Sequence, residues 1–213
     1  QAENAVKQTH SAGLPTFNLD LMHGLPEQSV ENAMADLKQG IELAPYHLSW
    51  YQLTIEPNTP FYSKPPELPD DDSLWEIQEK GHSLLERAGY HQYEISGYAK
   101  AGHQCRHNLN YWRFGDYLGI GCGAHGKITD AANGTIHRTV KVKHPRGYME
   151  MSRPYLDTQT LVSADDLPFE FFMNRFRLVE PCPMSDFSDF TGTELTDDVK
   201  HALSDAHHQG LLS

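Results

Sequence analysis

The pattern of apolar and polar residues near the start of the chain predicts a strand, a helix and a second strand. Residues 17 to 22, FNLDLM, alternate in character and are followed by Gly24 and Pro26, as in a strand that ends at a turn. Residues 29 to 44 repeat apolar side chains at helical spacing. Residues 47 to 57 are rich in aromatic and β-branched residues. This order predicts a parallel βαβ unit.

The same alternation continues to about residue 99. Acidic residues 70 to 72 and the later Gly89 mark the two ends of another predicted helix. Residues 90 to 99 then predict one more short strand. So few strands cannot close a barrel or complete a doubly wound sheet. We therefore expect an α/β fold whose missing strands lie before residue 1. The chain also lacks an initiator methionine, and we expect it to be part of a longer protein.

The second half of the chain changes from strands to helices. Residues 127 to 142 predict a hairpin, because Asn133-Gly134 is a strong two-residue turn signal. From about residue 145 the pattern is mostly helical. One helix begins at Pro168 and another covers residues 196 to 209. In the first of these, four apolar side chains are expected to share one face: Phe169, Phe172, Phe176 and Val179. We therefore predict two domains, residues 1 to 144 and residues 145 to 213.

Composition and charge narrow the class of protein. The formal net charge of −12 disfavours nucleic acid as a partner, because such binding depends on Lys and Arg. We expect no transmembrane segment, since no apolar run approaches the length that crosses a bilayer. We also expect no signal segment, since the sequence does not open with charged residues followed by an apolar run. The three cysteines are an odd number at irregular spacing, which favours reduced thiols. These features together predict a cytoplasmic protein.

Two polar residues on the predicted strands are candidates for ligand binding. Asp20 lies near the end of the first strand, where parallel barrels bind their ligands, and it shares a face with Asn18. The alternative is that Asp20 accepts hydrogen bonds from loop backbone and only supports the fold. Thr54, near the end of the second strand, is weaker evidence because threonine is a good strand former.

The segment RHNLNYWRFGDYLGIGCGAHG, residues 106 to 126, collects several residues suited to chemistry. His107 and His125 are either structural histidines or metal ligands. Tyr111 and Trp112 suit a core corner or stacking on a planar ligand. The glycines allow turns or a close approach of backbone to a ligand. A further alternative is a zinc site in which these histidines join two cysteines, Cys105 and Cys122.

Five ordered motifs give the chain a resemblance to a known family. FNLDLMHGLP, HLSWYQLTIEPNT, HNLNYW, YLGIGCGAHG and FEFFMNRFRL resemble the later part of the HemW-type heme chaperones. These are radical S-adenosylmethionine (SAM) proteins related to oxygen-independent coproporphyrinogen III oxidase. The resemblance implies a partial radical-SAM barrel followed by a mostly helical C-terminal region with winged-helix character.

The resemblance also implies cofactors. In the family, a C-x-x-x-C-x-x-C motif holds a [4Fe–4S] cluster whose remaining iron binds SAM. That motif is absent here, so we expect this chain to provide no cluster ligands and to perform no radical chemistry alone. Asp20 matches a family SAM contact and Thr54 matches a second. His125 stands where the oxidases have an apolar SAM contact, which argues against a simple transfer of oxidase function.

The resemblance implies a function in heme handling. The H-N-x-x-Y-W motif accompanies the heme chaperones, which makes His107, Asn108, Tyr111 and Trp112 candidate heme contacts, with His107 or His125 as the iron ligand. The expected function is to bind heme and deliver it to respiratory enzymes, with a homodimer as a possible assembly. The alternative is oxidative decarboxylation of coproporphyrinogen III in porphyrin biosynthesis. A structural module with a zinc-stabilised loop and a winged-helix DNA reader are the weaker alternatives.

Overall fold

The chain divides into two units, Gln1–Cys105 and Arg106–Ser213. The computed structural model describes residues 2–150 and 152–212 of them. Ile136 of the predicted hairpin packs in one cluster with residues of the C-terminal helices. The assignment of two domains at 1–144 and 145–213 stays a prediction.

The first unit contains the predicted βαβ arrangement. Its elements are α1 (Ala2–Ser11), β1 (Asn18–His23), α2 (Val30–Glu42), β2 (His47–Gln52), α3 (Pro60–Ser63), α4 (Asp71–Arg87), β3 (His91–Glu94) and β4 (Gly97–Ala99). Strands β1 and β2 are parallel, with Asn18 opposite His47 and Asp20 opposite Ser49. Ser29 caps α2 by accepting a hydrogen bond from the Asn32 N–H, as expected for serine at this position. Strand β2 ends at Gln52, earlier than the predicted residue 57.

The single strand predicted over residues 90 to 99 is wrong, because this segment forms the hairpin of β3 and β4. The chain reverses at Ile95 and Ser96, and the Trp50 N–H donates to the Ser96 carbonyl oxygen over 2.9 Å. Strand β4 therefore pairs antiparallel with β2, and the order in the sheet is β1-β2-β4-β3. The parallel alternation stops after two strands.

The core of the first unit lies between one face of this sheet and the helices α2 and α4. Its fully buried side chains come from both layers: Ala33, Leu37, Leu48, Trp50, Ile77, Leu85, Tyr90 and Tyr98. Leu19 and Leu21 of β1 pack against the same cluster. The side chains that alternate with them on β1 therefore lie on the opposite face of the sheet.

The second unit combines a three-stranded sheet with helices. Its elements are α5 (Arg106–Trp112), β5 (His125–Asp130), β6 (Thr135–Lys141), α6 (Pro145–Tyr148), β7 (Leu156–Leu161), α7 (Leu167–Arg175), α8 (Ser185–Thr191) and α9 (Asp197–His208). The predicted hairpin is present, but Asp130 pairs with Thr135, so its loop has four residues instead of two. Strand β7, which the sequence did not predict, pairs antiparallel with β6.

The core of the second unit corrects the face predicted for α7. Phe171 is fully buried, whereas Phe169 is 70% exposed and Val179 is 64% exposed. Phe171 packs in a cluster drawn from the hairpin and the helices: Phe114, Ile136, Leu167, Phe187 and Leu195. The aromatic residues of α7 lie on several sides of the helix, so their spacing alone did not identify the buried side.

Candidate functional site

The sheet face opposite α2 and α4 carries the predicted site residue Asp20. Asn18, Asp20 and Met22 alternate with the core residues of β1, and all three are exposed. Asp20 therefore shares a face with Asn18, as the strand alternation predicts. Its carboxylate is exposed and does not support a loop from within the core, so the structure leaves it accessible to a ligand.

A continuous chain of hydrogen bonds connects Asp20 with β2 and β3. Asn18 donates from Nδ2 to Asp20 Oδ1 over 2.8 Å. The Oδ1 atom of Asn18 lies 2.6 Å from His47 Nδ1 and accepts from Ser49 Oγ at 3.3 Å. On its other side, His47 Nε2 lies 2.7 Å from the hydroxyl of Tyr93. The chain therefore runs from an exposed carboxylate to a buried tyrosine.

His47 is the central member of this hydrogen-bond chain, and the sequence alone does not single it out. Its side chain is only 6% exposed. Burial lowers the pKa of His47, and the nearby Asp20 carboxylate opposes this shift. The imidazole is therefore neutral at neutral pH. The alternation of β2 does predict that His47 and Ser49 lie on the face opposite Trp50. Their pairing with β1 depends on the register between the two strands, which the sequence does not give.

Thr54, the second predicted SAM contact, lies just beyond the end of β2. Its side chain is exposed, and its Oγ1 donates to Glu56 Oε1 over 2.9 Å. This local bond orients the hydroxyl within its own loop. Thr54 takes no part in the hydrogen-bond chain that begins at Asp20.

In the second unit, α5 carries the four predicted heme contacts. His107 is exposed, while Asn108, Tyr111 and Trp112 are half-buried. The Tyr111 ring lies 4.7 Å from the Trp112 ring and 5.0 Å from the Tyr117 ring. The two aromatic residues are therefore partly occupied by packing within their own unit. His107 is the side chain of the motif with the most freedom to reach a ligand.

Trp112 is held in place by a cation. The guanidinium of Arg177 lies 4.3 Å from the centre of its ring, which is a favourable cation–π arrangement. The Nε1 atom of Trp112 is buried and has no hydrogen-bond partner among the described residues. A buried indole N–H normally has an acceptor, so this donor is an unsatisfied polar group of the described structure.

In the glycine-rich loop between α5 and β5, the backbone at Gly119 lies very close to the backbone at His125. A Cβ atom on Gly119 would lie 2.2 Å from the carbonyl oxygen of His125, and Gly121 has a φ of 111°. These two positions require glycine for close packing and for backbone conformation. The loop exposes two apolar side chains, Leu118 at 76% and Ile120 at 85%. His125, at the start of β5, is exposed as well.

A buried lysine, Lys127, binds the side chain of Asp116 in this loop. Lys127 is 2% exposed, and its Nζ donates to Asp116 Oδ1 over 2.8 Å and to Thr129 Oγ1 over 3.1 Å. The ammonium also lies 4.2 Å from the centre of the Phe114 ring. Burial lowers the pKa of Lys127, although Asp116 opposes the shift. Asp116 is the group that compensates this buried charge.

The structure does not form the alternative zinc site. Cys105, Cys122 and Cys182 are free thiols. Within residues 2–150 and 152–212, no group of three or more His, Cys, Asp or Glu side chains is arranged to hold a metal ion. These three cysteines therefore do not fit the ligand set of a [4Fe–4S] cluster.

A groove lies between the end of α7 and α9. It has a volume of about 780 Å³, and its lining includes Phe172, Arg175, Cys182 and His207. Burial raises the pKa of the Cys182 thiol. None of the residues predicted to bind SAM or heme lines this groove.

Among the helices in the described ranges, we find none with the length and apolar character needed to cross a bilayer.

Comparisons with known proteins identify relatives over the whole chain. Residues 162–213 match the family model described as the HemN C-terminal domain. Heme chaperone HemW of Escherichia coli is 60% identical over 213 residues, which are 100% of this chain and 55% of that protein. Heme chaperone HemW of Haemophilus influenzae is 62% identical over 192 residues, 90% of this chain and 49% of that protein. The chain thus spans about half the length of these curated relatives.

A more distant relative and a solved structure extend the comparison. Heme chaperone HemW of Bacillus subtilis is 33% identical over 97% of this chain and 55% of that protein. The structure of coproporphyrinogen III oxidase (HemN) from Escherichia coli, a radical SAM enzyme, aligns with a TM-score of 0.69. It covers 90% of this chain and 47% of the solved chain at 17% identity, so it supports the fold alone. These matches confirm the predicted α/β fold and the resemblance found in the sequence: over its whole length, this chain belongs to the family of the HemW-type heme chaperones.

Proposed function

We propose that this chain is the later part of a longer heme chaperone, which binds heme and delivers it to respiratory proteins. The observation that carries the proposal is the 60% identity to a heme chaperone over all 213 residues, combined with the exposed His107 of the H-N-x-x-Y-W motif on α5. Heme is the cargo of this protein. We expect the protein to act in the cytoplasm, with a homodimer as its assembly.

Asp20 and Thr54 are the proposed SAM contacts of the first unit. Both side chains are exposed, and Asp20 Oδ2 accepts no hydrogen bond from a residue in the described ranges. A carboxylate oxygen that is exposed and accepts no other hydrogen bond can accept one from a hydroxyl or ammonium group of SAM. Bound to a cluster held by another part of the protein, SAM would supply the radical-SAM chemistry of the family. The role of this chain is to bind and orient the cofactor.

His107, Asn108, Tyr111 and Trp112 are the proposed heme contacts, with His107 or His125 as the iron ligand. An imidazole is a common axial ligand of heme iron, and both of these histidines are exposed. The Trp112 ring, half-buried on the same helix as His107, would offer aromatic surface to the porphyrin. His125 is also retained as a SAM contact, since the family oxidases have a SAM contact at this position.

The second candidate function is that of an oxygen-independent coproporphyrinogen III oxidase. The specific observation in its favour is the fold shared with that enzyme at a TM-score of 0.69. The exposed imidazole of His125, where the oxidases have an apolar contact, favours the chaperone.

One experiment separates the two functions. The full-length protein, with its cluster reconstituted under anaerobic conditions, is incubated with SAM, a reductant and coproporphyrinogen III, and in parallel with heme. The chaperone assignment predicts that heme elutes with the protein in size-exclusion chromatography and that no protoporphyrinogen is formed. Formation of protoporphyrinogen with release of carbon dioxide would overturn it in favour of the oxidase.

A further inference from the structure

We propose that His47 is a positioning residue for Asp20: through Asn18, it fixes which carboxylate oxygen of Asp20 remains available to the cofactor. This inference rests on the proposed SAM contact of Asp20 and adds a residue that does not itself reach the cofactor. The side chains that carry it are the ones on the sheet face opposite α2 and α4, namely Asn18, Asp20, His47, Ser49 and Tyr93.

Because the Asp20 carboxylate can only accept, it determines which group donates in each hydrogen bond from Asp20 through Asn18 to His47. A carboxylate only accepts hydrogen bonds, so Asn18 must present its Nδ2 to Asp20 Oδ1, 2.8 Å away. The carbonyl oxygen of Asn18 then faces His47 Nδ1 at 2.6 Å. His47 must therefore carry its proton on Nδ1 and donate it to Asn18.

The hydrogen bond between His47 and Tyr93, at the other end of this series of hydrogen bonds, is consistent with a proton on Nδ1 of His47. With the proton on Nδ1, the neutral imidazole presents a lone pair at Nε2, which accepts the Tyr93 hydroxyl proton over 2.7 Å. The Tyr93 oxygen in turn accepts the backbone N–H of Cys105 at 3.4 Å. One assignment of protons thus satisfies every pair between Cys105 and Asp20.

The burial of His47 makes this arrangement rigid. A side chain that is 6% exposed and bound at both ring nitrogens has little freedom to rotate. Asn18 is exposed and would otherwise be free to exchange the positions of its oxygen and nitrogen. Because His47 holds the Asn18 oxygen, Asn18 Nδ2 stays on Asp20 Oδ1 and leaves Oδ2 to the ligand. Such support from surrounding side chains is a general requirement of binding sites.

Two substitutions of His47 separate positioning from folding. The amide nitrogen of asparagine lies near the position of Nδ1, so His47→Asn retains the donor to Asn18 and loses the contact with Tyr93. The longer His47→Gln places its amide near Nε2, so it retains the Tyr93 contact and loses the donor to Asn18. The matched control is His91→Gln, the same substitution at an exposed histidine of β3 that lies outside the hydrogen-bond chain.

The measurement is the affinity for SAM of the full-length, cluster-loaded protein, by calorimetry. We expect His47→Gln to weaken SAM binding about fivefold to tenfold, the effect of losing one hydrogen bond. We expect His47→Asn and the control His91→Gln to change the affinity for SAM by less than about twofold. Wild-type affinity in His47→Gln, alongside weakened binding in Asp20→Asn, would overturn the positioning role and leave the Asp20 contact intact.

Wild-type affinity in Asp20→Asn would instead overturn the proposed SAM contact itself, and the cofactor role of His47 with it. A ¹⁵N spectrum of the imidazole provides a readout that does not depend on the cofactor. The expected result is the Nδ1–H tautomer, and its replacement by the Nε2–H tautomer would contradict the assigned hydrogen-bond chain.

Discussion

The indole ring of Trp50 lies directly on helix α4 at Gly81. A Cβ atom built on Gly81 would lie only 1.8 Å from Cη2 of Trp50, and Trp50 is 3% exposed. The absence of a side chain at residue 81 therefore allows α4 to approach β2. Since β2 carries His47 on its other face, this contact also holds the sheet that presents Asp20.

We predict that Gly81→Ala destabilises the protein even though alanine is the better helix former. The gain in helix propensity is about 1 kcal/mol, whereas overpacking a rigid aromatic ring costs about 1–3 kcal/mol and displaces the helix. The control is Glu79→Ala, at an exposed position of the same helix, which is expected to change the free energy of unfolding by less than about 0.5 kcal/mol. Chemical denaturation measures both, and a Gly81→Ala variant as stable as the wild type would contradict the contact.

We predict a loss of stability in mild acid that depends on His23. The ring is 1% exposed and lies 4.3 Å from the Trp50 ring, and burial lowers the pKa of His23 to about 4. The unfolded chain titrates near 6.5, so between these values it binds more protons than the folded chain. Stability due to His23 is therefore fully present above pH 6.5 and falls by about 2–3 kcal/mol as the pH drops to 4.

The variant His23→Phe keeps an aromatic ring against Trp50 and removes the titration. We expect its free energy of unfolding to change less between pH 6.5 and pH 4 than that of the wild type. His47 titrates in both proteins, so the difference between the two pH profiles isolates His23. Parallel profiles would show that His23 is not the responsible group.

We predict that Asp116→Asn destabilises the second unit by about 1–3 kcal/mol. Lys127 is buried and its ammonium depends on the Asp116 carboxylate, so removing one charge leaves the other uncompensated. The Asp116 side chain is 42% exposed, which places the effect below that of a fully buried pair. Asp157→Asn, at an exposed carboxylate on β7, is the matched control.

A double variant tests the same pair in the opposite direction. Combining Asp116→Asn with Lys127→Met removes both charges, so we expect it to recover part of the stability lost in the single variant. Thermal unfolding of the three proteins gives the comparison. Additive losses would show that the two side chains do not compensate each other.

We predict that Cys122 reacts with iodoacetamide faster than Cys182. Cys122 is exposed in the glycine-rich loop, whereas Cys182 is half-buried and burial raises the pKa of its thiol. A smaller thiolate fraction and poorer access both slow alkylation. Mass spectrometry of peptides from a labelling time course at pH 8 measures the two rates, with Cys122→Ser and Cys182→Ser as controls. Equal rates would contradict the burial of Cys182.

The parts of the fold that were predicted correctly are those with local periodicity. The strand, helix and strand of β1, α2 and β2 each carry their own apolar pattern, and this pattern matches the observed elements. Strand β7 was missed because all six of its residues are exposed, so it has no apolar alternation to detect. The hairpin of β3 and β4 was missed because its two-residue turn at Ile95 and Ser96 resembles continuing strand.

The sequence predicted a residue of the candidate site only where the position of that residue in its own strand or motif was sufficient to suggest a role. Asp20 stood out through its position on a strand. The contacts of Asp20 depend instead on the register between β1 and β2, which aligns Asn18 with His47, and on the hairpin that brings Tyr93 to the same face. Such contacts between distant parts of the chain have no local pattern, so His47 and Tyr93 became visible only in the structure.

The most direct test of the heme assignment is a titration of the full-length protein with ferric heme, followed by the Soret absorption. If α5 provides the iron ligand and its surrounding contacts, His107→Ala weakens heme binding and shifts the Soret maximum, while His201→Ala, at an exposed histidine of α9, leaves both unchanged. His125→Ala identifies the alternative ligand in the same experiment. Identical affinity and spectrum in the wild type, His107→Ala and His125→Ala would contradict the assignment.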